Sequence, residues 1–117
     1  MNDVIILHEA EVELWEAVAY YEDKAAGLGL DFENEIERSV QTIAEHPECW
    51  PLRADGTRRY LTHRFPYLVV YTYQNHRIWI LAIAHCKRRP SYWQNRIRGA
   101  EQDNPRAEIN PEPRDSQ

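Results

Sequence analysis

FPYLVVYTYQNHRIWILAIAHCKRRPSYW, residues 65–93, is the stretch on which the fold turns. Tyr67–Tyr73 and Ile78–Ala84 are runs rich in β-branched and aromatic residues, which suit a pleated, half-buried surface. Gln74-Asn75-His76-Arg77 between them is turn-like, so the two runs predict a β-hairpin. The second run is nearly all apolar and predicts a strand buried on both faces. It empties into His85-Cys86-Lys87-Arg88-Arg89, four of five residues being cationic or cationisable. A strand ending in such dense positive charge suits the holding of a polyanion.

Working outward, Cys49–Gly56 contains Pro51, Asp55 and Gly56 and predicts a loop leading into a strand at about Arg58–Thr62. Further upstream the period changes. From Ala10, the residues Val12, Trp15, Val18 and Tyr21 follow steps of three and four and predict an amphipathic helix. Gly27 is expected to close it at positive φ. Leu28, Leu30, Phe32, Ile36, Val40 and Ile43 predict the buried stripe of a second helix, ended near His46 because Pro47 disfavours helical geometry in the residue before it. Val4–Leu7 is long enough for one strand. Downstream, Pro90 ends the basic run and Ser91–Ile97 predicts a short helical turn. Residues 99–117 hold no aromatic residue and three prolines, and are expected to be a disordered acidic tail to a domain spanning 1–98. The expected order is β-α-α-β-β-β with a short C-terminal helix. That is an α+β fold: a small antiparallel sheet with a helical hairpin packed on one face.

At 117 residues and 43% hydrophobic, the chain suits one small domain with one core. It has no run of 18 apolar residues, and MNDVIIL lacks the basic region and apolar core of a signal segment, so a cytoplasmic protein with no membrane partner is expected. Cys49 and Cys86 are too far apart for a CxxC unit and are read as reduced thiols, with no metal site and no cofactor. The net charge of −5 hides a segregation. Residues 1–47 carry twelve acids against Lys24 and Arg38, residues 48–98 carry ten Lys/Arg against Glu48 and Asp55, and residues 99–117 carry five acids against two arginines. An acidic helical half beside a basic half places the working face in the second half.

In this order and spacing the chain resembles the RelE/ParE superfamily of bacterial toxins, over residues 4–97. The resemblance rests on three features. The opening strand runs into a helix ending Tyr20-Tyr21, with a second helix ending His46-Pro47; Arg59-Tyr60 precedes Phe65-Pro66-Tyr67 and Val70-Tyr71; Ile80–His85 leads into Lys87-Arg88-Arg89-Pro90 and Tyr92-Trp93. It implies a small α+β toxin neutralised by a cognate antitoxin, in a hetero-oligomer. The superfamily has two working classes. RelE-like members cleave mRNA on the ribosome, and ParE-like members inhibit DNA gyrase. The Tyr-Tyr helix end, the FPY and the apolar-His-x-basic-Arg signature are closer to ParE-like sequences. Leu68 stands where many members, the RNase class in particular, carry an arginine, and leucine cannot stabilise charge on a scissile phosphate. The favoured expectation is a ParE-like inhibitor of DNA gyrase. The alternatives are a ribosome-dependent, metal-independent mRNA endoribonuclease, with ribosome and mRNA as partners, and a degenerate member that only binds an antitoxin.

RNA cleavage by 2′-OH attack needs a base, cations around the phosphate and an acid for the leaving oxygen. On the nuclease alternative His85, Arg88 and Arg64 are the catalytic candidates, with Lys87 as a further phosphate holder and His63 as a second group titrating near neutrality. His85 reads equally well as a hydrogen-bonding residue at the end of a buried strand. The expected target- or anion-binding set is Lys87, Arg88, Arg89, Arg58, Arg59, Arg64, Tyr92 and Trp93. Within it Lys87-Arg88-Arg89 is the strongest signal, because three adjacent cations repel unless something anionic meets them. Trp50 and Trp93, in loop and end positions, are expected at a contact surface. Glu11, Glu13 and Glu16 are expected to form a solvated face.

Overall fold

The computed structural model describes residues 2–97. Its elements are β1 (Asp3–Ile6), α1 (His8–Lys24), α2 (Leu28–Glu45), β2 (Arg58–Leu61), β3 (Tyr67–Gln74), β4 (Arg77–His85) and a 3-10 turn (Pro90–Trp93) that runs on helically to Ile97. The α+β class and the element order agree with the sequence reading. The expected domain boundary at residue 98 and the tail over 99–117 lie outside the described residues.

The four strands lie in the order β1-β4-β3-β2. β4 is therefore central, as its uninterrupted apolar run requires. β2, β3 and β4 are antiparallel neighbours, whereas β1 adds in parallel, Asp3 opposite Arg77 and Ile6 opposite Ile80. The sheet is thus mixed at one edge. An apolar tetrad reads the same in either direction, so its sequence carried no sign of this. The β3–β4 turn puts Asn75 at φ 54° and His76 at φ 63°, the mirror-image geometry that matches strand twist.

Val70 faces Ala82 but Tyr71 faces Ile80, which leaves Leu81 as an extra residue. This β-bulge keeps Ile78, Ile80 and Ile83 toward the helices while Leu81, Ala82 and Ala84 share the other face. Two cores result. The larger lies between sheet and helical hairpin, around Phe32, Ile36, Ile43, Val69 and Tyr71. The smaller is closed by Trp93, folded back over Val70 and Leu81.

Three expectations are corrected at this level. Val12 and Trp15 of α1 face outward at 40% and 49% exposure, while Ala10, Leu14, Ala17, Val18 and Tyr21 face the core. Small residues win the inner face because α1 packs tightly. At Gly29 of the neighbouring helix an added Cβ would meet the Val18 carbonyl oxygen at 2.6 Å. Leu30, at 58% exposure, likewise leaves the stripe of α2. Gly27 does take positive φ, 87°, but it opens α2 rather than closing α1, which ends in extended backbone at Ala25. Glu22 accepts the N–H groups of Gly27 and Gly29 and so places an anion at the N-terminus of α2. Among the described residues no helix is long and apolar enough to cross a membrane.

Candidate target-binding site at the end of the central strand

Where β4 leaves the sheet, the chain makes a tight turn fixed by backbone bonds. The Cys86 N–H donates to the Pro66 carbonyl at 2.8 Å and the Arg88 N–H to the His85 carbonyl at 2.9 Å. The Lys87 N–H donates to His85 Nδ1 at 3.1 Å, so a neutral His85 carries its proton on Nε2. The half-buried imidazole also packs edge-on against Tyr67, with 5.3 Å between ring centres.

Lys87, Arg88 and Arg89 project from this turn and are exposed. Among the described residues none of them pairs with a carboxylate. The Arg88 guanidinium lies 4.1 Å from the centre of the Tyr92 ring, and Arg96 lies 4.9 Å from the same ring. Burial first, then the nearby Glu13 carboxylate, pushes the Tyr92 phenol well above its ordinary pKa, against the opposing pull of Arg96 and Arg88. Tyr92 therefore stays neutral, a stacking surface and hydrogen-bond donor rather than a base.

Behind the turn, β4 outruns β1. The last bond to its edge is from the Leu7 N–H to the Ile80 carbonyl. Beyond it, side chains take the place of a strand. Glu13 of α1 accepts the Ile83 N–H at 3.0 Å, and Arg96 donates to the Leu81 carbonyl at 3.1 Å and to Glu13 at 3.0 Å. Glu13 is therefore not part of a solvated face. It is 15% exposed and, with Arg96, satisfies the backbone that the bulge and the short β1 leave open.

A second loop, residues 62–66, carries Arg64. Buried Glu35 of α2 accepts the N–H groups of His63 (2.6 Å) and Arg64 (3.3 Å) and pairs with Arg38. Burial raises the Glu35 pKa, but these donors outweigh it, and the carboxyl is held below its ordinary range. The Arg64 side chain pairs with Asp31 at 3.1 Å. His63 shares a hydrogen bond with the Tyr60 hydroxyl at 3.2 Å.

The expected set therefore divides. Lys87, Arg88, Arg89 and Tyr92 come together on the turn. Arg64 stands apart on the loop that Glu35 holds. Arg58 donates to the carbonyls of Trp50 and Glu48, and Arg59, 16% exposed, pairs with Asp55 and lies over Trp93. Both are occupied with holding the fold. Trp93 is a correction: at 1% exposure it is core, because the short helix turns back onto the sheet and an indole is the largest filler available. His85, Arg88 and Arg64 each face a different partner, namely Tyr67 with the Lys87 amide, Tyr92, and Asp31. Leu68 lies in the sheet opposite Ala84 and Leu61, packed on the smaller core. Sequence reading missed Glu13, Arg96 and Glu35, whose roles depend on which backbone groups the topology leaves open. Among the described residues no group of three or more His, Cys, Asp or Glu could hold a metal ion.

The sequence model for the ParE toxin of the type II toxin-antitoxin system, parDE, matches residues 4–90. Among solved structures the chain is similar to one titled as the chromosomal ParDE TA system from P. aeruginosa. That match has a TM-score of 0.63 and 19% identity, and covers 73% of this chain and 96% of the other. At that identity the likeness is one of fold. A search of curated proteins finds no match.

Proposed function

The chain belongs to the ParE toxin family of type II toxin–antitoxin systems, and on that premise we propose that it stops DNA gyrase by binding it, through the turn at the end of β4. It is the toxin of such a pair, and its partner is a cognate antitoxin. The observation that carries the binding mode is the exposed Lys87-Arg88-Arg89 turn, braced by Tyr92 and without a carboxylate partner among the described residues. Leu68 in place of an arginine, and the separate engagements of His85, Arg88 and Arg64, support binding over phosphodiester chemistry. The working unit is residues 1–98, acting in the cytoplasm, with Arg64 as an outlying contact.

Purified toxin added to gyrase and relaxed plasmid tests the reading directly. Supercoiling should fall as toxin is added, with mRNA on translating ribosomes left intact. Full supercoiling beside cut mRNA would establish the ribosome-dependent endoribonuclease instead. No effect on either, or on growth, would mark a member that only binds its antitoxin.

A further inference from the structure

We infer that Glu13, on the acidic first helix, is a positioning residue for Arg88: by cancelling the charge of Arg96 it lets Arg88 keep its place over the Tyr92 ring. What Arg88 is held ready for rests on the gyrase-binding reading; how it is held does not.

Two guanidinium groups share one ring. Arg88 lies 4.1 Å and Arg96 4.9 Å from the centre of Tyr92, so their guanidinium carbons are at most about 9 Å apart. That is inside the screening length of about 10 Å at 0.1 M salt, and like charges at such a distance repel. Arg88, exposed on a turn, is the one free to swing away. Arg96 is not, being 17% exposed and donating to the Leu81 carbonyl at 3.1 Å. Arg88 therefore stays over the ring only if the charge of Arg96 is offset.

Glu13 is placed to do so. It accepts from Arg96 at 3.0 Å, and because both side chains are largely buried the pair is weakly screened. The Ile83 N–H, donating to the same carboxylate at 3.0 Å, fixes it against the sheet. After burial, the Glu13 carboxylate is the chief influence keeping the Tyr92 phenol protonated, which sets it beside the shared ring. Among the described residues no carboxylate pairs with Lys87, Arg88 or Arg89. Neutralising Arg96 thus leaves Arg88 ordered and with its full charge for an outside partner. An acid on the first helix completes the basic site.

Charge is separable from hydrogen bonding here. Glu13→Gln keeps an acceptor for Ile83 and Arg96 but leaves Arg96 uncompensated, and adding Arg96→Gln removes the stray cation. The probe is the Arg88 Nε–H resonance of isotope-labelled full-length protein, which the Tyr92 ring current moves upfield and which Tyr92→Leu calibrates. Glu13→Gln should lose more than about half of that displacement and bind gyrase about 3–10-fold more weakly than the parent, as a repulsion of this range allows. With Arg96→Gln added, both should return toward the parent's values, although a further buried bond has been disturbed. A resonance unmoved in Glu13→Gln, or a double variant no better than the single, would reduce Glu13 to a prop for the fold and overturn the inference. Should the double variant not fold, salt decides with Glu13→Gln alone. Near about 1 M, where the screening length is about 3 Å, the resonance should move back, and a displacement indifferent to salt would overturn the inference equally. A parent protein that ignores gyrase while the resonance behaves as expected would sink the gyrase reading and leave the positioning role standing.

Discussion

Arg88 rests on the Tyr92 ring yet remains exposed, so a long side chain is pre-ordered at the surface without being consumed by an ion pair. Arg88→Ala should abolish growth inhibition. The melting temperature should fall by less than about 5 °C, since the lost contact is worth about 0.5–1 kcal/mol. His85→Gln is the complementary test, because glutamine keeps a hydrogen-bonding end without titrating. Toxicity should change less than about threefold, whereas loss of a proton-transfer group would cost on the order of 10²–10⁴. A folded His85→Gln protein without toxicity, from a parent that cuts mRNA, would sink the gyrase reading. Glu13 and Arg96 behave differently because both are largely buried. Glu13→Ala leaves the Ile83 N–H unpartnered and Arg96 without its carboxylate, and should cost about 2–4 kcal/mol in urea unfolding. Glu13→Gln should cost distinctly less, the amide oxygen still serving Ile83. Neither residue could be singled out from sequence, where a glutamate on a charged helix looks like its solvated neighbours Glu11 and Glu16.

Among the elements, the backbone of the loop bearing Arg64 is tied to α2 through the Glu35 carboxylate. Glu35 is ionised more readily in the fold than free, its ordinary value being 4.5. Its contribution is therefore complete above that value and lost as pH falls through the lower folded value. Urea unfolding from pH 7 down to about 3 should show stability declining below about 4.5, more gently in Glu35→Gln, which begins about 1–3 kcal/mol less stable at pH 7. The β3–β4 turn offers an opposite test. His76 holds φ 63° with a side chain, and His76→Gly should raise stability by roughly 0.5–1 kcal/mol, because glycine adopts that geometry without strain. The strands were legible because β-branched runs, a turn and an unbroken apolar stretch each have one physical meaning. The inner face of α1 was not, since Val12 and Trp15 dominate any periodicity. Close packing instead selected Ala10 and Ala17, which carry little hydrophobic signal. Trp93 was misread for a related reason: an aromatic after a proline looks terminal until the chain is seen to turn back.

For the molecule as a whole, the outward Val12 and Trp15 on α1 and Ile6 of β1, at 46% exposure, leave apolar side chains exposed in the acidic half of the sequence, while the cations belong to the other half. A partner that meets both is expected from an antitoxin. Co-expression with the cognate antitoxin should raise the yield of intact chain several-fold, and equal recovery of the lone chain would count against masking of these surfaces. One further consequence follows from the parallel seam between β1 and β4. β1 finds its place beside β4, Asp3 against Arg77, although both helices and two strands are made between them. Until β3 and β4 emerge, α1 and α2 have no sheet to lie on, and slow, long-range pairing must close the structure. The nascent domain thus stays unformed until β4 has been made, and the basic turn proposed to meet the target is presented only with it.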